Sequence, residues 1–173
     1  LTNILIHEGL VDFGADGVTI ARVGDDPAIL EVIGLHGYPN FVRERWASFP
    51  IDHPTLPICY AIRENTPLWM PNPDARQRLL PMTKGLTAEE QHQSWAVLPF
   101  HVNNAIIGAI GLGFNTPTEF DTSERNFLLT LTEYYAQALH RAQLTEKLTL
   151  HAATQERQRL ARDLHDSVKQ LLF

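Results

Sequence analysis

From Glu124 to Phe173 the chain runs for about fifty residues without a proline or a glycine. Good helix formers such as Leu, Ala, Gln, Glu and Arg fill this stretch. Just ahead of it, Asp121-Thr-Ser-Glu124 has the form of a capping box, in which the Asp carboxylate accepts first-turn amides and the Glu reaches back to the cap. One helix of that length would extend roughly 75 Å at about 1.5 Å per residue, farther than a domain built from the preceding residues could cover. Phe127, Leu128, Leu131, Tyr134, Tyr135, Ala138, Leu139 and Ala142 recur at helical spacing and are expected to pack back on a sheet. Beyond them Leu144, Leu148, Leu160, Leu164, Val168 and Leu171 leave a thinner stripe, which on a protruding helix needs a partner helix. The expectation is a parallel dimer stem.

The residues upstream read as a sheet with short helices. Ile4, Leu5 and Ile6 ahead of Gly9 suggest a short helix ending near that glycine. Val11 to Arg22 alternates β-branched residues, Gly24-Asp-Asp-Pro27 supplies turn chemistry, and Ala28 to Leu35 is a second apolar run. Residues 17–35 therefore read as a β-hairpin. Its partner is expected to return at Leu68-Trp-Met70, then at Ser94 to His101, and finally at Ala105 to Phe114. The clearest hairpin is Trp95 to Phe114, where two apolar strands flank Asn103-Asn104, residues that tolerate the positive φ of a tight turn. Gly108, Gly111 and Gly113 in its second strand signal close approach of another element, or a bulge. Helical patches at Phe41 to Ser48 and Ile58 to Glu64 are broken by Pro50, Pro54 and Pro57. Pro71 to Gln93 reads as a polar loop with a turn of helix at Thr87 to Gln93.

Composition removes several function classes. With 20 acidic against 14 basic residues and a net charge of −6, the chain lacks the basic excess that a nucleic-acid surface needs. The local cluster Arg157, Arg159 and Arg162 is interleaved with Glu156 and Asp163. Cys59 is the only cysteine, so neither an intrachain disulfide nor a thiolate-rich metal site can form. No stretch approaches the roughly 18 apolar residues of a membrane span, and no signal-peptide pattern opens the chain. A cytoplasmic segment without membrane contact is expected, in a protein that could be anchored upstream. The chain opens at Leu1 without an initiator methionine and stops at Phe173 inside a helical pattern, as a piece cut from something longer would.

His165 lies on the long helix with Asp166 beside it and Gln170 five residues on. A phosphorelay needs a nitrogen nucleophile that is neutral near physiological pH, which imidazole provides. It also needs an acceptor for the other ring N–H, so that the attacking nitrogen carries the lone pair. Asp166 can serve as that acceptor. Gln170 shares the face of Asp166 one turn away, where an amide could position water against an acyl phosphate on a partner protein. There is a plainer reading of the neighbouring charges: Arg159 with Asp163 and Arg162 with Asp166 are i,i+4 pairs that support the helix by about 0.3 kcal/mol each. A lone helical histidine is also most often an ordinary surface or seam residue.

The wider string separates these readings. Glu156-Arg-Gln-Arg-Leu-Ala-Arg-Asp-Leu-His-Asp-Ser-Val-Lys-Gln-Leu-Leu172 resembles the dimerisation and phosphoacceptor segment of the type-3 histidine-kinase subfamily, which includes nitrate- and cold-responsive sensors. The family pattern is Glu-Arg-x-Arg-Ile-Ala-Arg-(Glu/Asp)-Leu-His-Asp-x-(Val/Ile)-x-Gln-x-Leu, and the main departure is Leu160 in place of Ile. The resemblance implies that His165 is the phosphoacceptor and Asp166 its orienting acid or base. It makes Asp166 and Gln170 the ends of the family's phosphatase motif. It also implies a homodimer, a response regulator as partner, and ATP with Mg held by a catalytic domain that would follow Phe173. The residues here include no Gly-x-x-x-x-Gly-Lys-(Ser/Thr) loop and no ATP-binding boxes, so this segment is expected to be inactive alone.

The order short helix, hairpin, proline-broken helical region, three more strands and exit helix resembles a GAF domain over residues 1–142. Residues 143–173 would then be a linker and the truncated first helix of the dimerisation and histidine-phosphotransfer domain. The runs that carry this are Gly17 to Arg22, Ala61 to Trp69, Trp95 to Phe100, Ile107 to Leu112 and Phe120 to Leu129. The implied fold class is α+β, a GAF-like antiparallel sheet flanked by helices and followed by a long C-terminal helix forming a parallel dimer stem. A GAF domain commonly binds a small molecule or a partner between its sheet and short helices, and no particular ligand is written in these residues. Tyr60-Ala-Ile after Cys59 lacks the Cys-His step of bilin-binding photosensors, so a buried structural thiol is expected. His53, His92 and His101 have no close metal-ligand spacing, and Trp46, Trp69 and Trp95 read as core residues. No cofactor or metal is evident. The leading expectation is a two-component sensor kinase in which the GAF domain, through rotation, tilt or repacking of the helix in a homodimer, controls autophosphorylation at His165 and transfer to a response regulator. The alternative is a small-molecule-binding GAF dimerisation module with no phosphotransfer role. A methionine sulfoxide-reducing enzyme would need redox cysteines, which Cys59 alone does not supply.

Overall fold

The computed structural model describes residues 1–81 and 92–171, with the side chains of residue 40 and residues 162–171 outside that description. Its sheet grows from two local hairpins. Asn103 and Asn104 take φ of 51° and 64°, the geometry of a two-residue type I′ turn, and join β5 (Ser94–Val102) to β6 (Ala105–Phe114). β1 (Gly17–Val23) and β2 (Ile29–His36) form the other hairpin, whose turn is tied by Asp26 Oδ1 accepting from the Ala28 amide at 2.9 Å. A long-range ladder from Gly17↔Gly113 to Arg22↔Gly108 joins β1 to β6. β3 (Ser48–Pro50) pairs outside β2, and β4 (Leu68–Met70) pairs outside β5. The result is a six-stranded antiparallel sheet of order β3-β2-β1-β6-β5-β4.

The first hairpin and the three returning strands lie where the sequence pattern puts them, but the neighbour of β1 is β6 and not β4. Three other expectations change. The helical patch expected over 41–48 is α2 (Asn40–Arg45), and its last expected residue belongs to β3. β3 has three residues, and its proline sits at the strand end on a sheet edge, where a missing N–H is tolerated. The stretch expected to be a loop contains α4 (Pro73–Leu79), started by Asn72 Oδ1 accepting from the Ala75 amide at 2.9 Å. The expected turn at Thr87 to Gln93 lies outside the described residues as far as residue 91. The N-terminal helix, α1 (Thr2–Ile4), continues in π-helical form over Leu5–Val11 and passes straight through Gly9. A Cβ on Gly9 would come within 3.2 Å of Leu131 Cδ2, so this glycine allows close packing instead of ending the helix.

Each sheet face buries a different set. On one, α3 (Pro57–Glu64) begins with Pro57 in its first turn and ends at Asn65 with φ of 50°. It buries Ile58, Cys59, Ala61 and Ile62 in a cluster with Ala21, Leu30, Met70, Val97 and Ala109. On the other, Phe100 meets Tyr135 edge-on at 5.7 Å, and the Tyr135 hydroxyl lies 3.0 Å from Thr2 Oγ1.

The exit helix α5 (Thr122–Leu171) has 50 residues. The capping box forms as expected: the Asp121 amide donates to Glu124 Oε2 at 2.8 Å, and the Glu124 amide donates to Asp121 Oδ1 at 2.9 Å. The chain divides into two compact units, Leu1–Gln137 and Ala138–Phe173. Within the first, Leu128, Thr132, Tyr135 and Ala136 form the buried stripe of α5. Phe127 and Tyr134, expected to pack inward, are instead 47% and 69% exposed. Phe127 still stacks on Phe13 at 5.3 Å. In the second unit Leu144, Leu148 and Leu160 are exposed. Arg159 pairs with Glu156, one turn back, at 2.8 Å; the Asp163 side chain expected beside it lies outside the described residues. No helix among the described residues is long and apolar enough to cross a membrane.

Candidate functional site: a sheet-face cavity and a histidine-bearing helix

A cavity of about 140 Å³ lies against the α3 face of the sheet. Thr19, Val32, Val97 and Gly111 face it from the strands. Tyr38, Val42, Trp46 and Phe49, on and around α2 and β3, close it from another side, and Pro57 and Ile58 close it from the start of α3. Gly111 contributes by omission: a Cβ there would have no neighbour nearer than 3.9 Å. No Asp, Glu, Lys, Arg or His is among the described residues that line the space. Trp95 lines it too, and its buried Nε1 meets no acceptor among the described residues. The Arg76 guanidinium lies 4.4 Å from the Trp95 ring centroid and that of Arg45 lies 5.4 Å from Trp46. Trp46 and Trp95, expected simply as core residues, are thus also cavity wall.

The other singled-out residues have packing roles. His92 is buried in the space that two glycines leave, since a Cβ on Gly17 or on Gly113 would sit 2.3 Å from its ring. Its Nδ1 lies 2.9 Å from Asn115 Oδ1, and its ring meets Tyr38 edge-on at 5.6 Å. Gly108 likewise makes room for Phe100 and for the Ala21 carbonyl, each within 2.4 Å of where its Cβ would be. The glycines of β6 therefore mark two close approaches and one opening. His53 packs edge-on to Trp46 at 5.6 Å, and His101 Nε2 is hydrogen-bonded to Asn65 Oδ1. Cys59 is fully buried and its thiol donates to the Pro50 carbonyl at 3.5 Å. Burial pushes the thiol up to about 12, which keeps it protonated and unreactive as a nucleophile. It is the buried structural thiol the sequence suggests.

His165, Asp166 and Gln170 all fall within the helical backbone of α5. Asp166 and Gln170 are spaced by one helical turn. The side chains of all three lie outside the described residues.

The GAF domain family model matches residues 3–140. The chain belongs to the GAF domain family. A second family model, described as histidine kinase, matches residues 156–173. The sensor histidine kinase YhcY of Bacillus subtilis (strain 168) is 33% identical over 78 residues, which are 45% of this chain and 21% of that protein. The chain thus spans about a fifth of that relative's length. Among solved structures, the GAF domain of a two-component sensor histidine kinase from Bacillus halodurans superposes with a TM-score of 0.61 at 15% identity, covering 83% of this chain and 94% of that one. The second GAF domain of DevS from Mycobacterium smegmatis gives 0.62 at 17% identity, covering 85% and 96%. The GAF domain of a phosphoenolpyruvate-protein phosphotransferase from Acinetobacter gives 0.65 at 11%, covering 84% of each chain. These structural likenesses establish the fold, an α+β GAF architecture with an antiparallel sheet and a long C-terminal helix.

Proposed function

We propose that this chain is the sensor and phosphoacceptor part of a two-component sensor histidine kinase, in which the GAF domain controls autophosphorylation at His165 and phosphate then passes to a response regulator. One observation carries the reading: residues 156–173 match the histidine kinase family, and those up to Leu171 lie on α5, the same helix that leaves the GAF domain. A neutral His165 nitrogen attacks the terminal phosphate of ATP while the bond from that phosphorus to the bridging oxygen breaks and ADP leaves, and Asp166 holds the other ring N–H and steadies the imidazolium that forms. In the reverse mode, Gln170 and Asp166 orient water against the acyl phosphate of the regulator. ATP and its Mg belong to a separate catalytic domain, because this chain has no glycine-lysine phosphate loop; on its own it is a substrate. The site works in the cytoplasm, where ATP is.

The kinase is read as a parallel homodimer. Support comes from Leu144, Leu148 and Leu160, which are 51%, 63% and 49% exposed along the second unit and call for a partner helix. The test uses the full-length kinase with labelled ATP. Acid-labile, alkali-stable label is expected on the native protein and none on His165→Gln. Label that survives this substitution sinks the assignment.

A further inference from the structure

We propose that the ligand of the sheet-face cavity is a small neutral molecule of about one aromatic ring, carrying at most one or two hydrogen-bonding atoms. The proposal deepens, and rests on, the reading of the GAF domain as a sensor. Size comes first. A volume of about 140 Å³ is close to the roughly 150 Å³ of an engineered apolar cavity in another protein that stays dry and binds benzene. A single ring fills such a space, and a nucleotide or a porphyrin would have to extend out of its open side.

Charge decides the rest. An ion entering the cavity would shed its hydration with no opposite charge among the described lining residues. The ring set of Tyr38, Trp46, Phe49 and Trp95 invites comparison with the aromatic cages that hold ammonium groups. Here, however, the two indoles already carry the guanidiniums of Arg45 and Arg76, at 5.4 and 4.4 Å. A second cation on the same rings would meet like charge. Neither arginine is among the described lining residues, so an anion gains no direct ion pair from them. What remains is dispersion and edge-to-face contact with a ring. A single polar atom can use the Thr19 hydroxyl.

Gly111 provides the decisive variant. Its missing Cβ has 3.9 Å of clearance, so Gly111→Val fills the cavity from a strand position that suits a β-branched side chain. The experiment titrates the chain by calorimetry with phenol, benzoate and benzylamine, and with phenol again on Gly111→Val. Phenol should bind one per chain, with benzoate and benzylammonium weaker by about tenfold or more. Gly111→Val should keep its circular dichroism spectrum and lose phenol affinity by about tenfold or more. In parallel, nuclear Overhauser contacts from phenol to the Trp46 and Trp95 indoles are expected in the native chain, which keeps the test sound if the variant folds poorly. No phenol binding, equal binding of a charged ring, unchanged binding by a folded Gly111→Val, or absence of the indole contacts each overturns the proposal. These readouts do not involve phosphate. Failure here leaves the His165 labelling result standing, and failure of that labelling leaves the binding result standing.

Discussion

Leu128→Ala tests which face of α5 holds it to the sheet. Leu128 is fully buried, in a stripe with Thr132, Tyr135 and Ala136. Removing three carbon atoms forfeits about 2.4 kcal/mol of transfer free energy at ~0.8 per methylene. The cavity left behind raises the total toward the 3–5 kcal/mol seen, roughly, for well-packed leucines. For a chain of this size that is a fall in Tm of about 6–20 °C. Tyr134 is the control, because the apolar spacing alone places it inward, yet it is 69% exposed. Tyr134→Ala should change stability by no more than about 0.5 kcal/mol. Urea unfolding followed by tryptophan fluorescence gives both values. Two protein concentrations about tenfold apart expose any contribution from association. A cost below about 1 kcal/mol for Leu128→Ala, or an equal cost for Tyr134→Ala at both concentrations, would rule out Leu128 as the anchoring side of α5.

Three further outcomes are expected. Asp121→Ala removes the acceptor of the Glu124 amide and should cost about 1 kcal/mol, read as a fall of roughly 3 °C in a thermal melt. Gly108→Ala forces a Cβ to within 2.3 Å of the Ala21 carbonyl oxygen and should destabilise by about 1–3 kcal/mol in the same urea assay. Cys59 titrates near 9.0 when unfolded and near about 12 when folded. Between those values the folded state holds the extra proton, so stability is intact below pH 9 and falls as pH rises toward 12. The slope from this group is at most ~1.4 kcal/mol per pH unit, and Cys59→Ala should flatten it in unfolding curves taken across that range.

Features that depend on neighbours in the chain were legible, and those that depend on distant residues were not. The Asn103-Asn104 turn and the Asp121-Glu124 box each carry their partners within a few residues: the turn takes the expected positive φ, and the box forms both of its hydrogen bonds. β3 has no such local signature, since its pairing lies with Ile29, Leu30 and Glu31. α4 did carry one, Asn72 followed by Pro73, but the polar composition around it masked the start signal. Gly9 looked like a helix stop, and only Leu131, far along the chain, explains it. The cavity is the extreme case. Thr19, Trp46, Trp95 and Gly111 come together only once the sheet has formed, so no spacing could announce it. The histidine segment was the reverse: its motif was readable from the residues alone.

In the proposed kinase, the GAF unit governs His165 through the phase of α5. Alanines inserted after Thr145 in the full-length kinase test it, because one residue turns everything beyond by about 100° and seven restore the phase to within about 20°. The measurement is the initial rate of acid-labile labelling at His165. One- and two-residue insertions should change that rate severalfold, and seven alanines should return it to near the native value. A rate that is the same for every insertion length would contradict this coupling.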